Sequence, residues 1–419
     1  MLKNYIKLAL KVMRRKKFFS FVSLFGISFT LMVMMVLISL YDHAISPNKV
    51  DDKRDRNLYV IKTNMTDSAK TNSSNNPVGF YLLKNHIKKL KTPERITLFK
   101  MQETYNAFTG SQKLDLSTRY TDSEYWDVFS FNFIEGKGYN KTELESHDYV
   151  TVISESSKNN YFGKGVEAVG KMIEANNIKY RVVGVVEDVS FMNIHASGDM
   201  YLPYTVSPEN FEEEKSLRGI FFGVMQAKDK SDFKEIKAEF AQMINNLDIQ
   251  SYHKGYDIFN LFPDNYLGVY TREIFDNKDS EDDKAHIFYM IFGGFMLLFM
   301  LLPAINLVNL NITRIMERAS EIGVRKAFGA SDGALVKQFL VENIIITFIG
   351  GLLGIIMTVG VLAMLNFSQF IPHAHLTINL KIFLIGLGIT FAFGILSGVY
   401  PAFRMSKMRA ATVLRGNGK

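Results

Sequence analysis

Cysteine is absent from the 419 residues. Disulfides, thiolate-bound metals and thiol chemistry are therefore excluded, and any extracytoplasmic part must hold together by packing. Acidic residues are absent from the first 41 positions, which carry seven Lys or Arg. Central charges are missing from the long apolar runs, which argues against a proton relay or a charged ion pathway. No small-residue cleavage site follows the first run, where the chain reads Tyr41-Asp42-His43. That run is longer than a signal-peptide core and reads as a retained anchor.

What the chain does have is four apolar runs in a 1 + 3 arrangement, at 18–41, 285–312, 339–365 and 380–400. Each is long enough to cross a bilayer as a helix, which takes about 20 residues. A polar, foldable stretch at 42–284 dilutes them, so the mean hydropathy is near zero. The expected fold is an α-helical membrane protein with four transmembrane helices (1 + 3) and a large inserted α+β extracytoplasmic domain. Charge orients it. Residues 1–41 and 285–419 each carry +7, which leaves −7 for 42–284. Lys and Arg near span ends stay on the cytoplasmic side. The N-terminal segment 1–17, the segment 313–338 and the basic tail 401–419 are then cytoplasmic, both termini included. The domain at 42–284 and a short loop at 366–379 fall outside. Basic residues near the surface also attract anionic membrane lipid. The sequence pI of about 9.1 thus reflects topology, with no nucleic acid among the expected partners.

The inserted domain shows short strand signals at 58–62, 149–154, 171–174, 178–186 and 220–227. Asn176-Asn177 suits the turn of a hairpin between two of them. Helices are expected at 79–91, 154–161 and 231–247, the last with an apolar stripe of Phe233, Ile236, Phe240, Met243 and Leu247 and with Ser231 as N-cap. The Asn/Ser/Thr-rich stretch 62–77 reads as a loop. One motif is tempting. Gly165 to Met172 fits G-x-x-x-x-G-K, but Met172 stands where a phosphate loop needs the Ser or Thr that holds magnesium. A loop entering a strand is the better reading. His373 and His375 are too few ligands for a metal site. Glu187 and Asp188 read as solvated turn residues. No catalytic set stands out.

Within the runs, Gly350 and Gly354 are four apart, as are Gly394 and Gly398, a spacing that lets helices approach closely. Pro303 should bend the second span, and Pro401 marks the end of the fourth. The cytoplasmic stretch Arg314 to Ser331 suggests a short amphipathic helix. Glu321 and Arg325 are in the favourable order for a helical ion pair. Ile322, Val324 and Phe328 supply an apolar surface. Gly329 suits a C-cap, and Ser331 the N-cap of the helix that runs into the third span. An interfacial anchor and a docking element for a partner both fit this pattern.

Here the residues resemble a known family. EIGVRKAFGASDGALVKQFLVEN at 321–343, followed by Gly350, Gly351 and Gly354, looks like the FtsX-like permease signature of MacB-type ABC transporters. YPAFRMSKMRAATVLRG at 400–416 and NYIKLALKVMRRKKFFSFVSLFGISF at 4–29 are similar to the family's terminal pattern and first span. EYWDVFSFNFIEGKGY at 124–139 and YRVVGVVEDVS at 180–190 resemble its periplasmic core domain. The resemblance implies a type VII ABC permease in a bacterial inner membrane. It also implies a dimer with a second copy or a paralogue, and a cytoplasmic ATP-binding subunit that docks on Glu321, Ile322, Gly323, Val324, Arg325, Lys326, Ala327, Phe328, Gly329 and Ala330. ATP and magnesium would bind that subunit, since the chain shows no nucleotide-binding domain of its own and is expected to be non-catalytic. Extension of spans one and two into the outer domain is implied as well, with 270–284 as one such helix. Two roles remain open. One is export of an antimicrobial, a peptide or a lipid-linked cargo, with a periplasmic adaptor and an outer-membrane channel. The other is signalling to an outer cell-wall hydrolase without transport.

Overall fold

The computed structural model describes residues 11, 13, 15, 17–69, 71–110, 112–317, 324, 328, 331–381, 383–388, 391, 392 and 395. The chain divides into two compact units. One comprises 43–288 with 371–374, and the other 1–42, 289–370 and 375–419.

The second of these units is helical where described. Helices run over Lys17–Ile45, Ala285–Glu317 and Asp332–Phe367, and helix resumes at Leu380. Among the described residues two stretches are long and apolar enough to cross a membrane, Ser20–Ile45 and Leu340–Phe367, and Ala285–Leu301 is a shorter apolar helix. Two of the four expected spans therefore meet that test. Helix Asp332–Phe367 starts directly after Ser331 and continues without a break through the third apolar run. The packing seam is built on small residues. A Cβ on Gly350 would fall 2.8 Å from Cγ2 of Ile27, and one on Gly354 would fall 3.2 Å from Cβ of Leu31. Ile27, Leu31, Met34, Met300 and Ile346 form the core around this seam. The loop at 366–379 is closed by a two-way amide clamp. Asn366 donates to the Leu376 carbonyl and accepts from the Leu376 N–H, both at 2.9 Å. The Ser39 hydroxyl donates to the Thr377 carbonyl at 2.8 Å.

The 43–288 unit is α+β. Its strands are β1 (Asn57–Val60), β2 (Lys62–Thr66), β3 (Ser73–Pro77), β4 (Arg95–Lys100), β5 (Glu103–Thr109), β6 (Gln112–Thr121), β7 (Phe133–Gly136), β8 (Val150–Ser154), β9 (Met172–Ala175), β10 (Ile178–Val186), β11 (Met200–Pro203), β12 (Phe221–Gln226) and β13 (Ile258–Asn260). The main sheet runs β1-β12-β4-β6-β11-β8-β10-β9-β5, and β5 also pairs with β6. The last six strands therefore close on themselves, with Ala107 opposite Ala175 at the closure. Tyr120, Ile153, Ile173, Tyr180, Val182 and Met200 are among the side chains that fill this small barrel. The β1-β12-β4 wing is buried on both faces, as its near-continuous apolar sequence requires. Leu58, Val60, Leu98 and Met225 face one core, which the helix Phe233–Asn245 covers with Ile236 and Phe240. Tyr59, Phe99 and Val224 face the other. In that second core Trp126 lies over Gly138, where a Cβ would fall 2.4 Å from the indole Cγ.

The hairpin at Asn176-Asn177 forms as the sequence suggests, with both residues at positive φ (48° and 64°) between β9 and β10. Ser154 caps the helix Glu155–Phe162 through the N–H of Ser157. Three readings are corrected. Residues 62–77 are not a loop. They form the β2/β3 hairpin of a separate three-stranded sheet with β13. Side-chain amides that normally favour turns here pair across the strands, with Asn64 donating to Asn75 at 2.9 Å, while Met65 is fully buried. Ser231 does not cap its helix. It lies in the turn Lys230–Asp232, capped by Asp229, which accepts from the Ser231 N–H at 2.9 Å. The expected extension at 270–284 is helical only to Ile274, because the helix Tyr266–Ile274 ends in a turn that leads into a bound strap.

Candidate functional site

The functional-site candidate lies where the chain enters and leaves the 43–288 unit. After the helix Lys17–Ile45, residues 48–51 turn back. The Asn48 side chain accepts from the N–H groups of Val50 and Asp51 at 3.1 and 3.2 Å, which sets up a short turn at Arg54–Arg56. That turn aims the Arg54 side chain into the interior. Its Nε donates to Asp51 at 2.8 Å, with both side chains only 2% exposed. Its Nη1 donates to the carbonyls of Ala44 and Ser46, both at 3.0 Å, and its Nη2 donates to Oδ1 of Asn193. The guanidinium lies 3.9 Å over the ring of Tyr266. Carbonyls at a helix C-terminus lack partners within the helix, and a buried guanidinium needs several acceptors. Each need meets the other here.

Asp51 is equally committed. Besides Arg54 it accepts from the Asn57 amide at 3.0 Å and the Tyr59 hydroxyl at 2.9 Å. Burial pushes its carboxyl above the ordinary range, and Arg54 pulls it back. Asn193 is held in turn by the loop it sits on. Arg119, buried beneath that loop, donates to the carbonyls of Ile194 at 2.7 Å and Ser197 at 3.2 Å. His195 is packed between Tyr59, Tyr266, Phe99 and Phe222, with ring centroids 5.0 to 6.1 Å away. Burial pushes its imidazole down to about 3, and the charges of Arg119 and Arg54 add to this.

The outgoing chain is fixed to the same strand. Asp264 exchanges both backbone hydrogen bonds with Tyr59 of β1, at 2.7 and 3.0 Å. Its carboxylate takes Arg272 in a two-pronged pair. Arg272 then donates to the carbonyls of Asn277 at 2.9 Å and Ser280 at 2.8 Å, and Thr271 donates to that of Asp283 at 2.7 Å. The strap at 275–284 is thereby laid against the helix Tyr266–Ile274. It fits because residue 268 is glycine, where a Cβ would fall 2.5 Å from the Asp283 carboxylate. Asp283 accepts from the N–H of Ala285 at 2.9 Å, which caps the start of the helix Ala285–Glu317. This constellation holds no nucleophile beside a free base. Within the 43–288 unit it fixes residues 44–56 and 264–285 to one another and to β1.

The residues singled out from sequence fall elsewhere. Of the ten coupling residues, Val324 and Phe328 are described. The Phe328 N–H donates to the Val324 carbonyl at 3.1 Å, one helical turn, and Phe328 is 89% exposed. Glu321, Ile322, Gly323, Arg325, Lys326, Ala327, Gly329 and Ala330 lie outside the described residues, as do Gly394, Gly398 and the tail from 401. The phosphate-loop look-alike is filled by a carboxylate. Glu135 accepts from the N–H of Ala168 at 2.7 Å and pairs with Lys158 at 2.8 Å, and the segment leads into β9. Asp188 is no idle turn residue. It caps the helix Glu155–Phe162 through the Ser156 N–H and hydroxyl at 3.1 and 2.7 Å. His373 lies 3.8 Å from Asp188. Among the described residues no cluster of three His, Asp or Glu could hold a metal. Sequence reading missed Asp51, Arg54, Asn193 and Tyr266. The one local signal was an acid and an arginine three apart just after an apolar helix.

Residues 20–243 match the family profile of the MacB-like periplasmic core domain, and residues 293–410 match that of the FtsX-like permease C-terminal region. The chain is 27% identical over 304 residues to the uncharacterized ABC transporter permease YvrN of Bacillus subtilis (strain 168), covering 70% of this chain and 68% of that one. It is 24% identical over 334 residues to the uncharacterized ABC transporter permease YknZ of the same organism, covering 79% and 78%. It is 24% identical over 245 residues to the macrolide export ATP-binding/permease protein MacB of Acinetobacter baylyi, covering 58% of this chain but only 34% of that relative. Among solved structures, the extracellular domain of the transporter YknZ aligns with 47% of this chain and 98% of its own, at 18% identity and a TM-score of 0.35. The periplasmic region of MacB from Actinobacillus actinomycetemcomitans aligns with 55% and 96%, at 14% identity and a TM-score of 0.37.

Two outcomes are expected of the purified chain, followed through the fluorescence of Trp126, its one tryptophan. Arg54→Ala should destabilise the fold by about 3–5 kcal/mol in denaturant titrations, since it strands a buried carboxylate. Adding Asp51→Leu to Arg54→Met should restore most of the loss. His195 gives a pH dependence. Its folded pKa lies below the ordinary 6.5, so neutral His195 contributes in full above pH 6.5. That contribution should fall by about 1.4 kcal/mol per pH unit on acidification toward pH 3. His195→Phe should flatten the slope, and an unchanged slope would show that other groups set it.

Proposed function

Because this chain belongs to the MacB-like family of ABC-type permeases, with an FtsX-like C-terminal region, we propose that it works by mechanotransmission. A cytoplasmic ABC ATP-binding subunit binds ATP and magnesium, and its closure moves the membrane helices of a dimer. The dimer is formed with a second copy or a related permease. Four spans at 18–41, 285–312, 339–365 and 380–400 cross a bacterial inner membrane with both termini cytoplasmic, and 42–284 lies outside. The helices Ala285–Glu317 and Asp332–Phe367 and the charge asymmetry between regions support that topology.

The observation that carries the reading is the clamping of both chain crossings to β1. A flexible linker at either crossing would absorb motion as changed end-to-end distance. Here Arg54 holds one crossing and the Asp264–Arg272 pair holds the other. The work done outside is export of an antimicrobial, a peptide or a lipid-linked molecule, through a periplasmic adaptor and an outer-membrane channel. The two Bacillus relatives, named as ABC transporter permeases and matched over 68% and 78% of their lengths, support the permease role. Co-purification distinguishes the outer partner. An adaptor or channel supports export, and a cell-wall hydrolase would move the reading to signalling.

Coupling is tested at the exposed Phe328. In the reconstituted complex, Phe328→Asp or Ile322→Asp should bring ATPase activity down to that of the ATP-binding subunit alone, because a charge enters an apolar docking face. Unchanged basal and stimulated turnover would contradict the assignment of 321–330 to the contact.

A further inference from the structure

A cleft of about 250 Å³ opens beside the clamp, wholly within the 43–288 unit. Tyr59, Ile61, Ile194 and Phe262 line it together with Val269 and Tyr270 of the helix Tyr266–Ile274. Its lining is mostly apolar. The four charged groups at its edge are paired with one another, Asp264 with Arg272 and Lys62 with Glu273 at 2.7 Å. No charge is left over to match a charged body inside. The volume is below the ~300 Å³ at which drug-sized pockets begin, so the occupant is slim. Of its lining, Ile194 is 43% exposed, and Ile274, next in sequence to the lining residue Glu273, is 62% exposed.

The cleft also has a definite neighbour. Tyr266 precedes Val269 and Tyr270 by one helical turn, its hydroxyl accepts from that of Tyr270 at 3.1 Å, and its ring carries Arg54. Arg54 caps Ala44, in the last turn of the apolar helix Lys17–Ile45. Two contacts thus separate the cleft from the end of a helix that is long and apolar enough to span a bilayer. On the reading of the chain as a membrane permease, we infer that this cleft takes the end of a single acyl chain from a bilayer phospholipid. The chain buries methylenes against Ile61, Val269 and Phe262, each worth about 0.8 kcal/mol. Its presence is felt at the clamp, because Tyr59 and the Asp264–Arg272 pair belong to both.

The test uses the full chain in proteoliposomes that contain a phospholipid with a diazirine at the acyl terminus. After irradiation, adducts are mapped by mass spectrometry. Adducts are expected on cleft residues as well as on the apolar helices. Ile194→Trp and, independently, Val269→Phe should lower the cleft adducts about tenfold, as loss of two buried methylenes implies. Labelling of the helices should not change. Melting in detergent confirms that each variant is folded, and if one fails to fold the other carries the test. Adducts confined to the helices would overturn the proposal, and so would cleft labelling that survives both fillings. Stronger cleft labelling by a water-soluble diazirine alcohol than by the lipid probe would overturn it too. The labelling needs no ATPase, so Phe328→Asp should label like the parent. Loss of the coupling role and loss of the lipid site are then read separately.

Discussion

A buried guanidinium cannot be left to a single partner. Arg54 is planar and permanently charged, and its removal from water is tolerated only where geometry supplies acceptors on several sides. The chain supplies them from four places: Asp51, the last turn of the first apolar helix, Asn193 on a distant loop, and the face of Tyr266. Much of the arrangement of the 43–288 unit follows from this requirement. The turn at 48–56 must fold back, the loop at 190–197 must be braced from below by Arg119, and the helix Tyr266–Ile274 must lie against β1.

On the proposed mechanism, the same requirement sets the path that a displacement would take. Both crossings end on β1, which is paired along its length to β12, and β12 to β4. Strand ladders resist shear because several hydrogen bonds must break together. From β4 the path passes to β6 and so into the closed six-strand barrel. The wing is buried on both faces, so it cannot bend without opening one core or the other. A stiff wing joined to a closed barrel suits a part that is moved as a body. The strap at 275–284 adds to this, since Gly268 lets Asp283 sit tight against the helix before it caps the next.

The parts legible in the sequence were those with local signals. Apolar runs announce long helices, Asn176-Asn177 announces a turn, and Ser154 announces a helix start. The joint was not legible, because its partners lie at 44, 51, 54, 193 and 266 and no periodicity links them. The stretch 62–77 misled for a related reason. Asn, Ser and Thr favour turns when they bond to their own backbone, whereas here they bond across a strand pair. The phosphate-loop pattern at 165–171 did not mislead, because Met172 already ruled it out, and the segment leads into β9 with Glu135 accepting from the Ala168 N–H.

In the proposed mechanism, motion reaches the 43–288 unit through the Arg54 joint. This is tested most directly by measuring how far the 43–288 units of two copies move when nucleotide is trapped in the assembled complex. The chain has no cysteine, so Phe108→Cys on the exposed β5–β6 hairpin gives one spin label per copy. Nucleotide trapping should shift the label-to-label distance in the parent. The shift should disappear in Arg54→Met while the unit remains folded. An equal shift with and without Arg54 would contradict the account.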